Sequence, residues 1–364
     1  MSLVEMTKLP PMQFDVGVAV NKQGKPAIDC KFSVPRLLNT SASLTAEASI
    51  SSLIAHSLNL QYGLPLGGSW QFLAEAVKQV NDLTYASSFT ESVQGLRLSW
   101  LMGRRHVLGL DAYLRDIHPV VGGKLSASEQ LRRVQLRTIK TSINYKYLVD
   151  QTVRKSDQSP HPVGGYKLSL FSDIAGLFGD VRFMKFDSSF SYHRKLADGV
   201  ILHSRIGAGA IASLPGGVTP IQDRFFLGGT NDELTCMRGF ATRAVGPAGK
   251  RIGTGKKSEK LYDHLGGDTY VSLDNVVSFP LYTNNGQDIR GMVFGQLGSL
   301  APTLHSRVGQ DLIRGVRASV GIGALVPIGT VGTLELTLGK PVYGRTASDT
   351  SQSLQIGIRI SNVR

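Results

Sequence analysis

Hydrophobic and polar residues alternate along nearly the whole chain, and few stretches repeat at the period of a helix. The last segment is the clearest case. Leu354, Ile356, Ile358 and Ile360 share one face, while Gln355, Gly357 and Arg359 share the other. Leu334, Leu336 and Leu338 alternate in the same way with Thr333, Glu335, Thr337 and Gly339. Val320 and Ile322 oppose Ser319, Gly321 and Gly323, and Leu108, Leu110 and Leu114 oppose Gly109, Asp111 and Tyr113. A strand with one aliphatic face and one polar or glycine face needs two different environments.

Alternation and turn residues together predict about sixteen strands: 13–21, 26–37, 42–53, 55–66, 69–81, 87–102, 105–118, 138–150, 164–175, 181–195, 199–213, 268–281, 289–301, 313–327, 332–342 and 352–363. Soluble strands usually have about five or six residues. Most of these reach the roughly 9–11 that a tilted strand needs to cross a bilayer. The connections also alternate in length. Those at 39–41, 67–68 and 197–199 are short, whereas those after the seventh and eleventh strands are long. Short turns on one side and long loops on the other is the layout of an outer-membrane barrel, with both termini on the short-turn side. The expected fold is therefore all-β, a transmembrane antiparallel β-barrel of about sixteen strands. The alternative is a soluble β-sandwich or propeller, which would have shorter strands and more core aromatics than the 7% present, and no blade-length repeat is visible.

One loop carries a helical signal. Ser126-Ala127-Ser128-Glu129 offers a capping box, followed by an amphipathic run over 130–136. It predicts a short helix over the barrel mouth, with a solvated basic loop as the alternative.

Composition changes little. No apolar run is long enough for a membrane-spanning helix, and the opening residues lack the layout of a secretory signal. Lys and Arg number 40 against 27 Asp and Glu, a net charge of +13. The basic residues are scattered, with one denser patch at 249–260, which reads as solvated surface and not as a nucleic-acid site. The two cysteines, Cys30 and Cys236, exclude a disulfide framework and are expected to be free thiols.

Candidate chemistry is sparse. Gly253-Thr254-Gly255-Lys256-Lys257-Ser258 is no phosphate loop, because Lys250 stands where the upstream glycine must be and Lys257 where the hydroxyl must be. Gly207-Ala208-Gly209 and Gly321-Ile322-Gly323 lack a third small residue and read as glycines within strands. The eight histidines show no metal-ligand spacing. No nucleophile elbow is present. The expectation is a protein that is not an enzyme and has no cofactor and no metal.

The specific signals lie toward the C-terminus. Arg224-Phe225-Phe226-Leu227-Gly228-Gly229, followed by Met237-Arg238-Gly239-Phe240, resembles the signature of the β-barrel assembly superfamily. That superfamily includes bacterial outer-membrane assembly factors, the core barrel of the mitochondrial sorting and assembly machinery, and plastid envelope translocon barrels. The stretch from Val293 to Leu300 resembles the family's thirteenth strand, and those around Arg317–Gly323 and Leu334–Pro341 resemble its final strands. Three departures stand out: Asp232-Glu233-Leu234 are extra, Met237 replaces an aliphatic residue, and Gln296 replaces an Asp or Asn.

The resemblance implies that the loop after the eleventh strand folds into the lumen, with Gly228 and Gly229 turning it back and Arg238, Gly239 and Phe240 anchoring it. Phe294 and Gln296, on one face of their strand, are the expected neighbours of Arg238, with Glu335 as an alternative acceptor. The resemblance also implies a weakly paired seam between first and last strands that opens sideways, so that a β-barrel precursor can add a strand there. In this chain the seam would be Phe14, Val16, Gly17, Val18 and Val20 against Leu354, Ile356, Gly357, Ile358 and Ile360. Further implied partners are the lipid bilayer and accessory assembly subunits on its surface. Family members carry soluble polypeptide-transport-associated domains before the barrel. Here only about a dozen residues precede the first predicted strand, so the expected division is a short segment, 1–12, and a barrel, 13–364. Gln355, Gly357 and Ile360 resemble the mitochondrial β-signal, although Asn362 breaks its last position and the chain ends in Arg364. That ending and the basic charge favour the mitochondrial outer membrane, with a bacterial or plastid outer membrane as the alternative. A passive pore or import channel is the alternative function.

Overall fold

The computed structural model describes residues 13–360 apart from 21–25, 38–39, 52–54, 123–124, 155–160, 231–234, 254–260, 285–286 and 329–331. A single sixteen-stranded antiparallel sheet accounts for most of it. Its strands are β1 (Gln13–Val20), β2 (Pro26–Val34), β3 (Ser43–Ile50), β4 (His56–Gly67), β5 (Trp70–Asp82), β6 (Phe89–Met102), β7 (His106–Pro119), β8 (Arg137–Arg154), β9 (Pro162–Gly179), β10 (Phe183–Ala197), β11 (Val200–Ser213), β12 (Thr269–Asn284), β13 (Gln287–Ala301), β14 (Arg317–Ile328), β15 (Gly332–Tyr343) and β16 (Leu354–Ile360). Each pairs with its sequence neighbours, as a barrel meander requires.

The alternation seen in the sequence separates two faces. On β15, Thr333, Glu335 and Thr337 are buried, while Leu338 between them and the strand's end is 54% exposed. Leu96, Ile143, Phe186, Ile206, Val293 and Ile322 are exposed in the same outward sense. So much outward aliphatic surface suits lipid, not water. Aromatic residues stand exposed at both rims: Trp70 and Tyr282 beside short turns, Phe178 and Tyr343 beside loops on the other side. Such girdles mark the two membrane interfaces. A single sheet of this size, apolar outside and polar inside, is the membrane barrel and not the soluble alternative.

The strand boundaries depart from expectation at a few places. The fourteenth strand starts at Arg317, because a short helix (Val308–Arg314) precedes it and Gly315 ends that helix. The last strand begins at Leu354, since Ser351–Gln352 leave the wall to pair with Gly239–Phe240 inside it. Residues 1–12 and 361–364, including Asn362 and Arg364, lie outside the described residues. So do Asp232, Glu233 and Leu234 and most of the basic patch after Gly253.

The predicted capping box does not form. Ser128, not Ser126, precedes the short helix (Glu129–Arg132), and no side chain caps it. The Ser128 backbone N–H instead donates to Asp263 Oδ2 at 2.6 Å, so the helix start is held by the long loop after β11. Leu131 is buried with Ala127, Phe89, Ile117, Ile221 and Phe226. Both cysteines are free thiols.

Candidate functional site

The segment between β11 and β12 folds back into the barrel and packs against the inside of its wall. Its Phe225, Leu227, Met237, Phe240 and Val245 form one apolar cluster with Phe183, Ile211, Tyr270 and Leu300 of the wall. Burying several large side chains at about 1.5–3 kcal/mol each gives the loop a strong reason to stay inside. The loop also makes its own ladder. Leu227 bridges Val245 and Gly229 bridges Met237, with the Met237 N–H donating to the Gly229 carbonyl at 3.0 Å. Leu227-Gly228-Gly229 is thus paired backbone as well as a turn. At Gly228 φ is +125°, and a Cβ would stand 2.2 Å from the Ala241 carbonyl oxygen, so only glycine fits.

The tip is held by polar contacts to four strands. Arg238 is 1% exposed and Glu335 is wholly buried. Arg238 Nε donates to Glu335 Oε1 at 2.5 Å, and Nη1 donates to Asp274 Oδ1 at 3.2 Å. The guanidinium lies over the Phe294 ring, 5.1 Å from its centroid. An arginine taken from water needs both charge partners and hydrogen-bond acceptors, and these residues supply them. Glu335 is therefore the principal acceptor and not the alternative one. Gln296 plays a different part from the one expected: its Oε1 accepts the Arg238 backbone N–H at 2.6 Å. A neutral amide is enough for a backbone donor, which accounts for glutamine at this position.

Gly239 and Phe240 reach the last strand. The Gly239 N–H donates to Gln355 Oε1 at 2.8 Å, and Gln355 Nε2 donates to the Phe240 carbonyl at 2.7 Å. The Ala241 N–H donates to the Thr350 carbonyl at 2.9 Å. Gly239 has φ +85° and lies against Gly339, where a Cβ would come within 3.1 Å of backbone. The tip thus rests on β15 and draws the chain before β16 toward the lumen.

Two further attachments went unread in the sequence. Asp223, at the start of the loop, accepts from Arg115 Nη1 and from Lys140 Nζ, each at 2.8 Å. Burial works to raise its carboxyl, but Lys140 and Arg115 outweigh it and hold it below the usual carboxylate range. On the returning limb, Asp349 accepts from the Gly246 N–H and from Arg317 Nε, both at 3.2 Å. Nearby, burial pushes the His264 imidazole down to about 4, with Arg251 adding to the effect. The usable signal was parity. Glu335 stands on a strand face that otherwise carries Thr333, Thr337 and Gly339, and Asp274 shares its inward face with Ser272 and Ser278; an acid in a lumen calls for a cation.

The expected seam residues lie at the two ends of the strand order. Phe14, Val16, Gly17, Val18 and Val20 are in β1 and pair with β2 from Phe14↔Phe32 to Val20↔Pro26. Leu354, Ile356, Gly357, Ile358 and Ile360 are in β16 and pair with β15 from Leu338↔Leu354 to Gly332↔Ile360. Phe14, Leu354 and Ile356 are exposed. Among the described residues no ladder joins β1 to β16.

The family model described as Omp85 superfamily domain matches residues 40–361. The chain is 25% identical over 360 residues to the human sorting and assembly machinery component 50 homolog, covering 93% of this chain and 70% of that protein. It is 27% identical over 248 residues to the Xenopus laevis sorting and assembly machinery component 50 homolog B, covering 65% of this chain and 48% of that protein. In fold it is similar to BamA from Haemophilus ducreyi lacking POTRA domains 1–3, with a TM-score of 0.75 at 16% identity, covering 95% of this chain and 69% of that one.

Proposed function

Because the chain belongs to the Omp85 superfamily, we propose that it is an outer-membrane β-barrel assembly factor whose work is done at the seam between β1 and β16. The membrane that fits its likeness to sorting and assembly machinery components is the mitochondrial outer membrane. Barrel precursors are its substrates, and accessory subunits meet it at the membrane surface.

One observation carries this reading. The strand order ends at β1 and β16 with no ladder between them among the described residues, while the loop tip grips β16 through Gln355. An unpaired backbone group in lipid costs several kcal/mol, so a seam that parts is a template for another strand. The mechanism divides into holding and offering. Glu335, Asp274, Gln296 and Gln355 hold the loop tip against the last strands from inside, and β1 offers its outer edge. The tip braces the β16 side of the seam from inside. A long loop tip buried inside the barrel weighs against a passive pore.

The test is crosslinking. The chain is reconstituted in vesicles with a photoreactive group placed along β1, and a barrel precursor is added. The expected product joins the precursor's last strand to β1. The same yield from photoreactive groups placed instead along β5–β8 would defeat the proposal.

A further inference from the structure

The short last strand leaves a groove in the outer wall. β15 extends to Tyr343, but β16 covers it only as far as Leu338. Beyond that point the chain before β16 has been drawn inward to pair with the loop tip. A cavity of about 510 Å³ opens there, lined by Val320, Ile322, Leu338, Lys340, Arg345 and Ser353 among others. Val320, Ile322 and Leu338 are exposed aliphatics of the lipid-facing surface. Lys340 pairs with Val320 across the ladder and shares that outward face with Leu338. Tyr343, three residues on and also exposed, marks the interface.

The polar groups of the groove point to an anion. Lys340 and Arg345 are both exposed, and neither has an ion pair among the described residues. The acid of the same loop, Asp349, is engaged by Arg317. A cation on the lipid side of a barrel is tolerated near the interface, where its head can reach phosphate. The backbone suits an uncovered edge as well. The Gly339 N–H faces the seam side and donates to the Ser353 carbonyl at 2.8 Å. The next residue to face that way is Pro341, which has no N–H to leave unpaired.

We propose that this groove is a binding site for an anionic phospholipid, its phosphate held by Lys340 and Arg345 and an acyl chain lying along Leu338, Val320 and Ile322. The proposal rests on the barrel's place in a membrane and not on its role in assembly. Two cations without an ion pair among the described residues, set beside an aliphatic floor, fit a phospholipid headgroup and one of its acyl chains better than a free anion, which has no use for the floor.

The experiment is native mass spectrometry of the full chain in neutral detergent, titrated with phosphatidylglycerol or phosphatidylcholine. The expected result is one tightly retained phosphatidylglycerol, with phosphatidylcholine bound at least tenfold more weakly. Lys340→Gln with Arg345→Gln should lower phosphatidylglycerol occupancy about tenfold, and Leu338→Asn should lower it independently. Arg104→Gln, on the turn between β6 and β7, should leave it unchanged. All variants alter exposed side chains, and heat-modifiable gel mobility confirms that each barrel is folded before binding is read. Equal retention of the two lipids, or undiminished phosphatidylglycerol in the double variant, would overturn the site. Full competition by inorganic phosphate would make it an anion site without a lipid, and displacement by a neutral strand peptide would make it a polypeptide groove. Either result also overturns the proposal.

Discussion

Replacing Arg238 by Ala removes the guanidinium but leaves its acceptors in place. Glu335 is fully buried, so its carboxylate would be left in the lumen without the group now 2.5 Å away. Asp274 is less affected, because Arg205 stays within 4.0 Å of it. The contact with the Phe294 ring is lost as well. Breaking one side of a buried ion pair typically costs about 3–5 kcal/mol. That sum falls on the docking of the loop tip and not on the barrel, whose ladders do not involve Arg238. Glu335→Gln is the informative partner, since it keeps an acceptor at Oε1 and leaves Arg238 paired with Asp274. It should cost only about 1–2 kcal/mol. Amide hydrogen exchange at Arg238 and Gly239 reads the difference, because Gln296 and Gln355 accept those two N–H groups in the docked state. Local opening should accelerate exchange by roughly two to four powers of ten in Arg238→Ala and by about one in Glu335→Gln. Equal exchange rates in the two variants, with gel mobility unchanged, would refute the reasoning that an uncompensated buried charge governs tip docking.

Three other outcomes are expected. Gly228→Ala places a methyl against the Ala241 carbonyl in a backbone conformation that L-residues avoid, so cleavage by protease within 214–268 should rise while the barrel keeps its folded mobility. Asp223→Asn leaves the buried Arg115 without the carboxylate that now meets it at 2.8 Å, whereas Lys140 keeps Asp173 at 2.7 Å; loop docking should weaken by about 3 kcal/mol, read as the same protease sensitivity. His264, held down to about 4 by burial, binds a proton more readily when the loop is undocked than when docked. Its contribution is therefore complete above the ordinary histidine range, declines as pH falls from about 6.5 toward 4, and is gone below that, a difference of about 3 kcal/mol; exchange near residue 264 should quicken over that window, and His264→Gln should abolish the pH dependence.

The strands were legible because their signal is local. Period-two alternation in 354–360 or 333–339 needs no knowledge of a neighbour to say which face is apolar. The loop tip was legible by resemblance, since Arg238-Gly239-Phe240 stands in a recognisable run. Its partners were less so, because they depend on ladder register over long separations. Phe294, Gln296 and Glu335 were all named, but Glu335 only as the alternative acceptor: the carboxylate takes the guanidinium and the amide takes the backbone. Asp274 and Gln355 were not named as partners of the tip, nor was the triad of Asp223, Arg115 and Lys140, in which the register of β7 against β8 sets the two cations side by side and the returning loop brings the acid. The inward bend before β16 was unreadable for the same reason. Ser351–Gln352 alternate well enough to continue the strand, and only the loop tip's competition for their backbone takes them away.

The separations along the chain have a consequence for how the molecule forms. Arg238 meets Asp274 36 residues later and Glu335 97 residues later, and Gly239 meets Gln355 116 residues later. Every acceptor is thus laid down after the tip itself. Contacts between distant residues bear the entropy of closing long loops and form late. The tip cannot settle until the final strand has been made and set beside its neighbour. Its docking is therefore a completion signal, and a chain cut short before Gln355 should hold its longest loop unseated, however many of its earlier hairpins have formed.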